Sequence, residues 1–245
     1  MILDIDIGNS RIKWRLVDNG KPVATGSQAT SAVAAGEPFE LLGVTAVDEA
    51  RAASVADSAV TAALQCQLAD RFSVVLKMAL VTRSAGGVTC AYEDTQKLGV
   101  DRWLAVVAAY GQFKEALLVV DVGSAITMDL LGPQGGHLGG YIIPGLRLMR
   151  DALWRDTSEV KVAGSDCQDL LLPGKDSQQA VNRGCLLAAA AAVEKLASQY
   201  PVRIVVTGGD AQPLIEALSL RVLHCPDLVL DGLSVDTISF IDTGS

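Results

Sequence analysis

Two short segments of the chain carry residue types that could hold a polyphosphate. They are Asp6-Ile7-Gly8-Asn9-Ser10 and Asp121-Val122-Gly123-Ser124-Ala125. In each, an Asp ends a run of β-forming residues, a Gly follows after one residue, and a small polar residue comes next. A tight hairpin of this kind presents backbone N–H groups and a hydroxyl or amide beside a carboxylate, which suits a polyphosphate and its metal ion. Because each segment leads into a second strand, the repeat predicts two similar domains with a nucleotide in the cleft between them.

Asp6 and Lys13 are the candidate residues of the first segment. The Asp6 carboxylate could hold magnesium, directly or through water, because magnesium takes one or two protein carboxylates together with phosphate oxygens. Lys13 lies on the returning strand and could reach a phosphate as a point charge. A solvated strand residue is the simpler interpretation of Lys13, and an ordinary turn is the simpler interpretation of either Asp-x-Gly copy taken alone.

The segment Leu98-Gly99-Val100-Asp101-Arg102-Trp103 offers a different chemistry. Asp101 could accept a proton from a hydroxyl nucleophile, and Arg102 could bind an anionic group of the substrate. The alternative interpretation is an N-cap Asp beside a surface Arg. Tyr92, in a polar, Gly-rich region, could line a pocket or simply pack.

Asp121, Ser124 and the segment Thr207-Gly208-Gly209-Asp210 are the candidates of the second half. Asp121 could hold another cation near the phosphates, and Ser124 could offer its N–H and hydroxyl to phosphate. The segment that begins at Thr207 follows a buried strand. Its glycines would let the backbone pass close to a ligand, or they form an ordinary strand-to-helix turn.

Composition limits the class of protein. The chain has 245 residues, 50% of them hydrophobic and 4% aromatic, which is enough for one large domain or two of ordinary size. The formal net charge is −8, the sequence pI is about 4.7, and no run of Lys and Arg is longer than two residues. A nucleic-acid groove is not expected, because backbone binding needs concentrated positive charge.

The cysteines and the N-terminus predict a soluble, cytoplasmic protein. Cys66, Cys90, Cys167, Cys185 and Cys225 are odd in number and form no C-x-x-C pair, so neither a disulfide framework nor a zinc site is indicated. The N-terminus lacks the basic region of a signal peptide. No apolar run reaches the roughly 18 residues that a membrane span needs, so no membrane association is expected.

The periodicity of the chain predicts an α/β protein whose mixed sheets are flanked by helices. Predicted strands are Ile2 to Ile7, Ile12 to Val17, Lys21 to Ser27, Leu41 to Val47, Ser73 to Leu76, Ala116 to Val120, Ile126 to Leu131, Gly139 to Gly145, Arg203 to Val206 and Arg221 to Cys225. Predicted helices are Ala50 to Gln65, Leu98 to Phe113, Leu146 to Trp154, Ser177 to Gln199 with Ser177 as N-cap, and Pro213 to Leu220. Val160 to Lys175 is predicted to be irregular, and the end of the chain a helix or a tail. The repeat places a domain boundary near Lys114, giving domains 1–114 and 115–245.

Taken together, the ordered segments resemble the type III pantothenate kinases, also known as Bvg-accessory-factor-like proteins, of the acetate and sugar kinase/Hsp70/actin superfamily. The matching segments are Asp6 to Lys13, Gly99 to Trp103, Asp121 to Asp129, Gly139 to Gly145 and Thr207 to Asp210. The resemblance implies two actin-like (ribonuclease H-like) domains and ATP-dependent phosphorylation of pantothenate, the first step towards coenzyme A.

The resemblance also implies roles for individual residues. The first phosphate-binding loop would comprise Asp6, Ile7, Gly8, Asn9, Ser10, Arg11, Ile12 and Lys13, and Ser124 would belong to the second. Asp101 would be the base, Gly99, Val100 and Arg102 would line the pantothenate pocket, and Tyr92 would lie nearby. Asp121 would bind the potassium or ammonium ion that the family requires. The family is dimeric, and the partner subunit completes the pocket.

The chain departs from the family pattern at three hydroxyl positions. Ser10 and Ser124 stand where Thr is common, and both keep the hydroxyl. Ser177 would replace a Thr that contacts pantothenate, with loss of a methyl group only. Two alternatives stay open: a kinase or phosphatase of the same superfamily with another substrate, and a nucleotide-binding accessory protein that affects transcription without turnover.

Overall fold

The computed structural model describes residues 1–155 and 172–243. In chain order, its strands are β1 (Ile2–Ile7), β2 (Arg11–Asp18), β3 (Lys21–Ala29), β4 (Glu49–Ser54), β5 (Leu76–Leu80), β6 (Ser84–Ala85), β7 (Val88–Thr89), β8 (Leu117–Val122), β9 (Ala125–Leu131), β10 (His137–Pro144), β11 (Arg203–Thr207), β12 (Val222–His224) and β13 (Ser239–Asp242). Its α-helices are α1 (Thr30–Ala34), α2 (Ser58–Phe72), α3 (Val100–Phe113), α4 (Leu146–Arg155), α5 (Ser177–Gln199), α6 (Ala211–Ala217) and α7 (Leu228–Leu233). Cys167 and most of the segment predicted to be irregular, Val160 to Lys175, lie outside the described residues.

The chain forms two compact units with the same strand order. The first unit contains Met1–Gly111 and Leu228–Ser245, and the second contains Gln112–Asp227. Their sheets run β13-β5-β4-β1-β2-β3 and β10-β9-β8-β11-β12. In both, the first three strands form an antiparallel meander, and the next two lie parallel to the first strand on its other side. The predicted class of two similar α/β units with mixed sheets is therefore confirmed.

Along β1 and β8, the strands that begin the two meanders, every second side chain faces a hydrophobic core. In the first unit, Leu3, Ile5 and Ile7 of β1 pack with a buried stripe of α2. The Asp57 carboxylate caps α2 by accepting the Ala59 N–H at 2.8 Å. In the second unit, alternate residues of β8 pack with the buried face of α5. Since the period of a strand is two, Asp6 and Asp121 lie on the opposite faces from these cores.

A network of buried charged side chains joins the first sheet to α7. Asp4 is fully buried and accepts hydrogen bonds from Arg51 Nε at 2.8 Å and from Arg15 Nη2 at 3.4 Å. Arg15 also donates to the Asp231 carboxylate at 2.6 Å and to the Leu230 carbonyl at 2.7 Å, both on α7. The network therefore ties α7 to β1, β2 and β4.

The end of the chain belongs to the first unit, although the sequence places it in the second domain. Strand β13 extends the first sheet by pairing antiparallel with β5. Helix α7 approaches α3 so closely that a Cβ at Gly232 would lie 2.5 Å from the Leu104 carbonyl oxygen. These contacts join residues far apart in sequence, so the repeat alone does not reveal them.

The predicted helix from Ala50 to Gln65 is wrong in its first part. Residues Glu49–Ser54 form β4, and the helix runs over Ser58–Phe72. Ala50, Ala52 and Ala53 are fully buried between parallel neighbours β1 and β5. Ala favours helix on its own, but here tertiary packing decides in favour of a strand.

The predicted strand from Leu41 to Val47 is also wrong. Leu41, Val44 and Val47 are buried at intervals of three in a segment without regular structure. Arg71 on α2 holds this segment by donating to the carbonyls of Leu41 at 3.3 Å and Val44 at 3.0 Å. The strand expected at Ser73 begins only at Leu76, because Ser73 ends α2 in the left-handed conformation with φ 56°.

Several elements agree closely with their predictions. Helix α3 ends at Phe113 as predicted, and α5 spans the predicted Ser177–Gln199. The hairpins β1–β2 and β8–β9 surround the two Asp-x-Gly turns. Within residues 1–155 and 172–243, no helix is both long enough and apolar enough for a bilayer crossing.

Candidate active site

The first Asp-x-Gly turn joins β1 to β2 and is closed by main-chain contacts. Gly8 N donates to the Arg11 carbonyl at 3.1 Å, and a Cβ at Gly8 would lie 3.0 Å from that oxygen. Thr30, at the start of α1, donates its N–H to the Ser10 carbonyl at 3.1 Å and its hydroxyl to the Gly8 carbonyl at 2.7 Å. The turn is therefore clamped from outside by Thr30, which the sequence did not single out.

The side chains of this turn divide into buried and accessible groups. Ile7 and Ile12 are fully buried in the core, whereas Asn9, Ser10 and Arg11 are exposed. Arg11 Nη2 donates to the Ser27 hydroxyl on β3 at 2.8 Å.

Asp6 and Lys13 are half-buried and lie directly opposite each other across the β1–β2 ladder. Directly opposed residues in an antiparallel pair share a face of the sheet. The structure thus brings the predicted carboxylate and ammonium side by side.

The second Asp-x-Gly turn joins β8 to β9 and is covered by two further turns of the second unit. Gly123 N donates to the Ala125 carbonyl at 2.9 Å, and Gly145 N donates to the Ser124 carbonyl at 3.0 Å. A Cβ at Gly145 would lie only 2.2 Å from the Gly123 carbonyl oxygen. Gly145, the residue after β10, therefore allows a backbone approach that no other residue type would permit.

The segment Thr207-Gly208-Gly209-Asp210 lies against Asp121. Thr207 is the register partner of Asp121, and Asp210 N donates to the Val122 carbonyl at 3.0 Å. Gly208 has φ +99°, and a Cβ there would lie 2.5 Å from the Asp121 carboxylate oxygen. The segment is the strand-to-helix turn from β11 to α6, and its backbone also packs directly beside the candidate carboxylate.

The segment Gly99 to Arg102 forms the first turn of α3. Trp103 N donates to the Gly99 carbonyl at 3.0 Å, and the Asp101 carboxylate accepts the Arg102 N–H at 2.7 Å. A Cβ at Gly99 would lie 2.6 Å from Asp101 Oδ1. Asp101 is therefore the second residue of the helix rather than its N-cap, and the absence of a side chain at Gly99 leaves room for its carboxylate.

Arg102 and Tyr92 come together although ten residues separate them. Arg102 is 6% exposed, so it is not the surface Arg of the alternative interpretation. Its Nη1 donates to the Tyr92 hydroxyl at 3.3 Å, and its guanidinium carbon lies 5.9 Å from the centre of the Tyr92 ring. Two residues predicted to line one pocket are thus in contact.

Ser177 is exposed at the first position of α5, and Asp176 rather than Ser177 caps the helix. The Asp176 carboxylate accepts the Gln179 N–H at 2.7 Å. Asp is at least as good an N-cap as Ser, so the cap falls one residue earlier than predicted. A Cβ at Gly174 would lie 2.3 Å from Ala180 N, so the preceding turn folds tightly onto this helix end.

Within the described parts of the chain, no three His, Cys, Asp or Glu side chains come together as a possible metal cluster. Asp6 and Asp121 instead occupy equivalent places, each as the fifth residue of a six-residue first strand. A cation that takes one or two carboxylates and completes its shell with water and phosphate oxygens fits such places.

The fold is shared with solved structures of low sequence identity. One is from Campylobacter jejuni and is named as a candidate transcriptional activator of the Baf family; its TM-score is 0.60 at 20% identity, over 94% of each chain. Another, named as a candidate 2-dehydro-3-deoxygalactonokinase from Sinorhizobium meliloti, has a TM-score of 0.54 at 15% identity, over 96% of this chain and 97% of the other.

Two units of equal strand order, each with an Asp-x-Gly turn after its first strand, define an actin-like α/β fold. A model of the type III pantothenate kinase family matches residues 2–199. The chain belongs to the type III pantothenate kinase family.

Relatives with that name match almost the whole chain. The one from Chromohalobacter salexigens is 40% identical over 95% of this chain and 86% of its own length. The one from Pseudomonas paraeruginosa is 39% identical over 96% of this chain and 98% of its own length. The resemblance inferred from the ordered segments is confirmed by these matches.

Proposed function

We propose that this chain transfers the γ-phosphoryl group of ATP to the primary hydroxyl of pantothenate, giving 4′-phosphopantothenate in the first step of coenzyme A biosynthesis. The observation that carries the proposal is the first turn of α3, where Asp101 is adjacent to the buried Arg102 and Arg102 contacts Tyr92. A carboxylate base and an anion-binding guanidinium are the groups that a hydroxyl acceptor with its own carboxylate requires.

In the proposed reaction, the oxygen of the pantothenate hydroxyl bonds to the γ-phosphorus while Asp101 accepts the proton of that hydroxyl. The bond from that phosphorus to the β–γ bridging oxygen breaks, and ADP leaves with the bonding electrons. Arg102 holds the pantothenate carboxylate, while Gly99, Val100 and Tyr92 line the pocket. Catalysis of this kind depends mainly on positioning and charge stabilisation.

The two Asp-x-Gly turns are proposed to bind the ATP phosphates. The first contributes the segment from Asp6 to Lys13, and the second contributes Ser124. Support comes from the exposed Asn9 and Ser10, and from the turn geometry that Gly8 and Gly145 allow. We assign the nucleotide to these two turns by analogy with the actin-like class.

Two cations complete the proposed site. Asp6 would hold magnesium, and Asp121 would hold potassium or ammonium. When bound, they would neutralise phosphate charge. The fit rests on the donor type, since hard cations prefer oxygen ligands and both residues are strand-end carboxylates beside main-chain turns.

A homodimer is proposed because the second unit exposes apolar side chains on an edge strand. Leu138, Tyr141 and Ile142 of β10 are each more than half exposed, and β10 is an edge of its sheet. A second copy that covers this edge strand would complete the pantothenate pocket, with Ser177 among the contacts to pantothenate. We also propose a cytoplasmic location, because the five cysteines are odd in number and form no C-x-x-C pair.

The test is ADP release by the purified protein with ATP, magnesium and pantothenate, measured with potassium and again with sodium alone. Pantothenate-dependent release that needs potassium is the expected result. Release in both salts would remove the monovalent-cation role of Asp121. No pantothenate-dependent release in either salt would contradict the proposed substrate. Sedimentation of the same sample tests the homodimer.

A further inference from the structure

The segment that carries Tyr92 has no regular structure of its own. Residues 90–94 lie between β7 and the 3-10 turn Thr95–Lys97 and contain neither helix nor strand. A loop without a hydrogen-bonding ladder positions a side chain only if other groups fix its backbone. The contacts that fix this loop therefore determine where the Tyr92 hydroxyl lies.

Arg83, between β5 and β6, donates three side-chain hydrogen bonds to this loop. Its Nη1 donates to the carbonyls of Cys90 at 3.2 Å and Tyr92 at 3.0 Å, and its Nη2 donates to the Glu93 carbonyl at 2.9 Å. The Arg83 carbonyl accepts the Cys90 N–H at 2.9 Å. The loop is thus curled around a single guanidinium group, which fixes three of its carbonyls.

The contact between Arg102 and Tyr92 completes this arrangement. Arg83 fixes the Tyr92 backbone, and Arg102 donates to the hydroxyl at the far end of the same side chain. The planar guanidinium has five N–H donors in a rigid fork, and bonds from a charged donor are stronger than neutral ones. Tyr92 is therefore held at both ends by cationic groups on different elements of the first unit.

We propose that Arg83 is a positioning residue for the acceptor substrate. It organises the Tyr92 loop before pantothenate binds, so that Tyr92 and Arg102 present one prearranged surface to the substrate. Arg83 acts through these two residues and does not touch the reacting atoms. The inference rests on the proposed function of the Tyr92–Arg102 pair.

The kinetic test is Arg83→Met, which keeps much of the side-chain volume and removes every donor. We expect KM for pantothenate to rise about tenfold, the scale of one or two lost charged hydrogen bonds. KM for ATP and kcat should change by less than about threefold, because the phosphate-binding turns and Asp101 are untouched. An unchanged KM for pantothenate, or an equal rise in both KM values, would overturn the proposal.

Arg71→Met is the matched control. Arg71 also clamps a loop through carbonyls, those of Leu41 and Val44, but that loop carries none of the proposed site residues. We expect this variant to lose stability without a rise in KM for pantothenate. A similar rise in the control would show that any loosened loop has this effect, and Arg83 would have no specific role.

A double-mutant cycle with Tyr92→Ala tests the route of the effect. If Arg83 acts through Tyr92, adding Arg83→Met to Tyr92→Ala should raise KM less than twofold further. A full additional tenfold rise would overturn the proposed route. If Arg83→Met does not fold, Arg83→Gln, which keeps one donor group, should show the same changes to a smaller extent.

Amide hydrogen exchange separates failure of this inference from failure of the proposed function. In Arg83→Met without substrate, the Cys90 amide, which donates to the Arg83 carbonyl, should exchange at least about tenfold faster than in the wild type, and in Arg71→Met it should not. An unchanged exchange rate would overturn the proposal that Arg83 fixes the loop, even if the enzyme phosphorylates pantothenate. Faster exchange would support it even if another acceptor proves to be the substrate.

Discussion

Asp101 and Asp57 have similar local surroundings, but only Asp101 is expected to contribute to catalysis. Each carboxylate accepts a main-chain N–H near the beginning of a helix, Asp101 from Arg102 and Asp57 from Ala59. An amide oxygen can accept the same hydrogen bond, so Asn should preserve both helix ends. What Asn cannot do is accept a proton from the substrate hydroxyl.

We therefore expect Asp101→Asn to lower kcat by roughly 10²–10⁴, the range for loss of a positioned base, while the fold and ATP binding stay nearly intact. Asp57→Asn is the control and should keep near-normal turnover. Steady-state kinetics and nucleotide titration of both variants provide the measurement. Near-normal turnover in Asp101→Asn would remove this residue from the role of base.

Gly208 and Gly209 are adjacent, but only Gly208 is sterically constrained. A Cβ at Gly208 would meet the Val122 carbonyl oxygen at 2.3 Å, and its φ is +99°, whereas a Cβ at Gly209 would meet nothing within 4 Å. We expect Gly208→Ala to lower the free energy of unfolding by roughly 2–4 kcal/mol through clash and backbone strain. Gly209→Ala should change it by less than about 0.5 kcal/mol. Denaturant titration would contradict this account if both variants behave alike.

At the residue scale, the sequence offers candidates for the chemistry but does not indicate the residues that hold their segments in place. Asp6, Asp101 and Arg102 stand out because their types and spacing are unusual at strand or helix ends. Thr30 binds a main-chain carbonyl 22 residues away, and Arg83 binds one nine residues away. A carbonyl is present at every residue, so no pattern of residue types marks such a partnership.

Among the elements, α7 is attached to the first sheet by charge as well as by packing. Arg15 is 6% exposed and joins Asp4 on β1 to Asp231 on α7. Removing it would leave a fully buried Asp4 with Arg51 as its remaining cationic partner. Loss of one member of a buried ionic network is usually costly, because a desolvated charge loses its partner.

Arg15→Met should accordingly lower the free energy of unfolding by roughly 2–4 kcal/mol. The surface pair Arg147–Asp151 on α4 is the comparison, because the Arg147 side chain is 59% exposed. Arg147→Met should cost less than about 0.5 kcal/mol. Chemical denaturation of the two variants measures the difference, and equal losses would show that the buried network contributes no more than a surface pair.

The type of an element can be predicted from the sequence where hydrophobic periodicity and helix-breaking residues agree. The prediction fails where tertiary packing outweighs intrinsic propensity. Helix α5 has its predicted bounds because a long amphipathic run follows a breaker pair and a cap. Strand β4 was predicted as helix because Ala-rich segments favour helix locally. Its central place between β1 and β5, where Ala50, Ala52 and Ala53 are fully buried, is not visible from the segment itself.

At the scale of the whole molecule, the same sheet topology occurs in both units, and the C-terminal elements α7 and β13 belong to the first unit. Both sheets have a three-strand meander followed by two parallel strands, with Asp6 and Asp121 at equivalent places. The repeat of Asp-x-Gly segments was sufficient to predict this duplication. Among the residues that the structure describes, the second unit has no counterpart of α7 and β13, so the repeat could not indicate their return.

A variant that ends at Asp227 tests this return. It would lack α7 and β13, leave Arg15 without its α7 partners, and expose the β5 edge. We expect the first unit to lose cooperative thermal unfolding, while the contiguous second unit keeps its own transition. Calorimetry that shows both transitions at their original temperatures would mean that the first unit does not need these elements.

The same return has a consequence for the order in which the protein acquires its structure during translation. The second unit is contiguous, so all its strands have been synthesised, and will leave the ribosome, before Ser239, the first residue of β13. The first unit, although synthesised earlier, must wait for that strand to complete its sheet. We therefore expect the half that emerges first to be completed last, which force-sensitive translational arrest at successive chain lengths would detect.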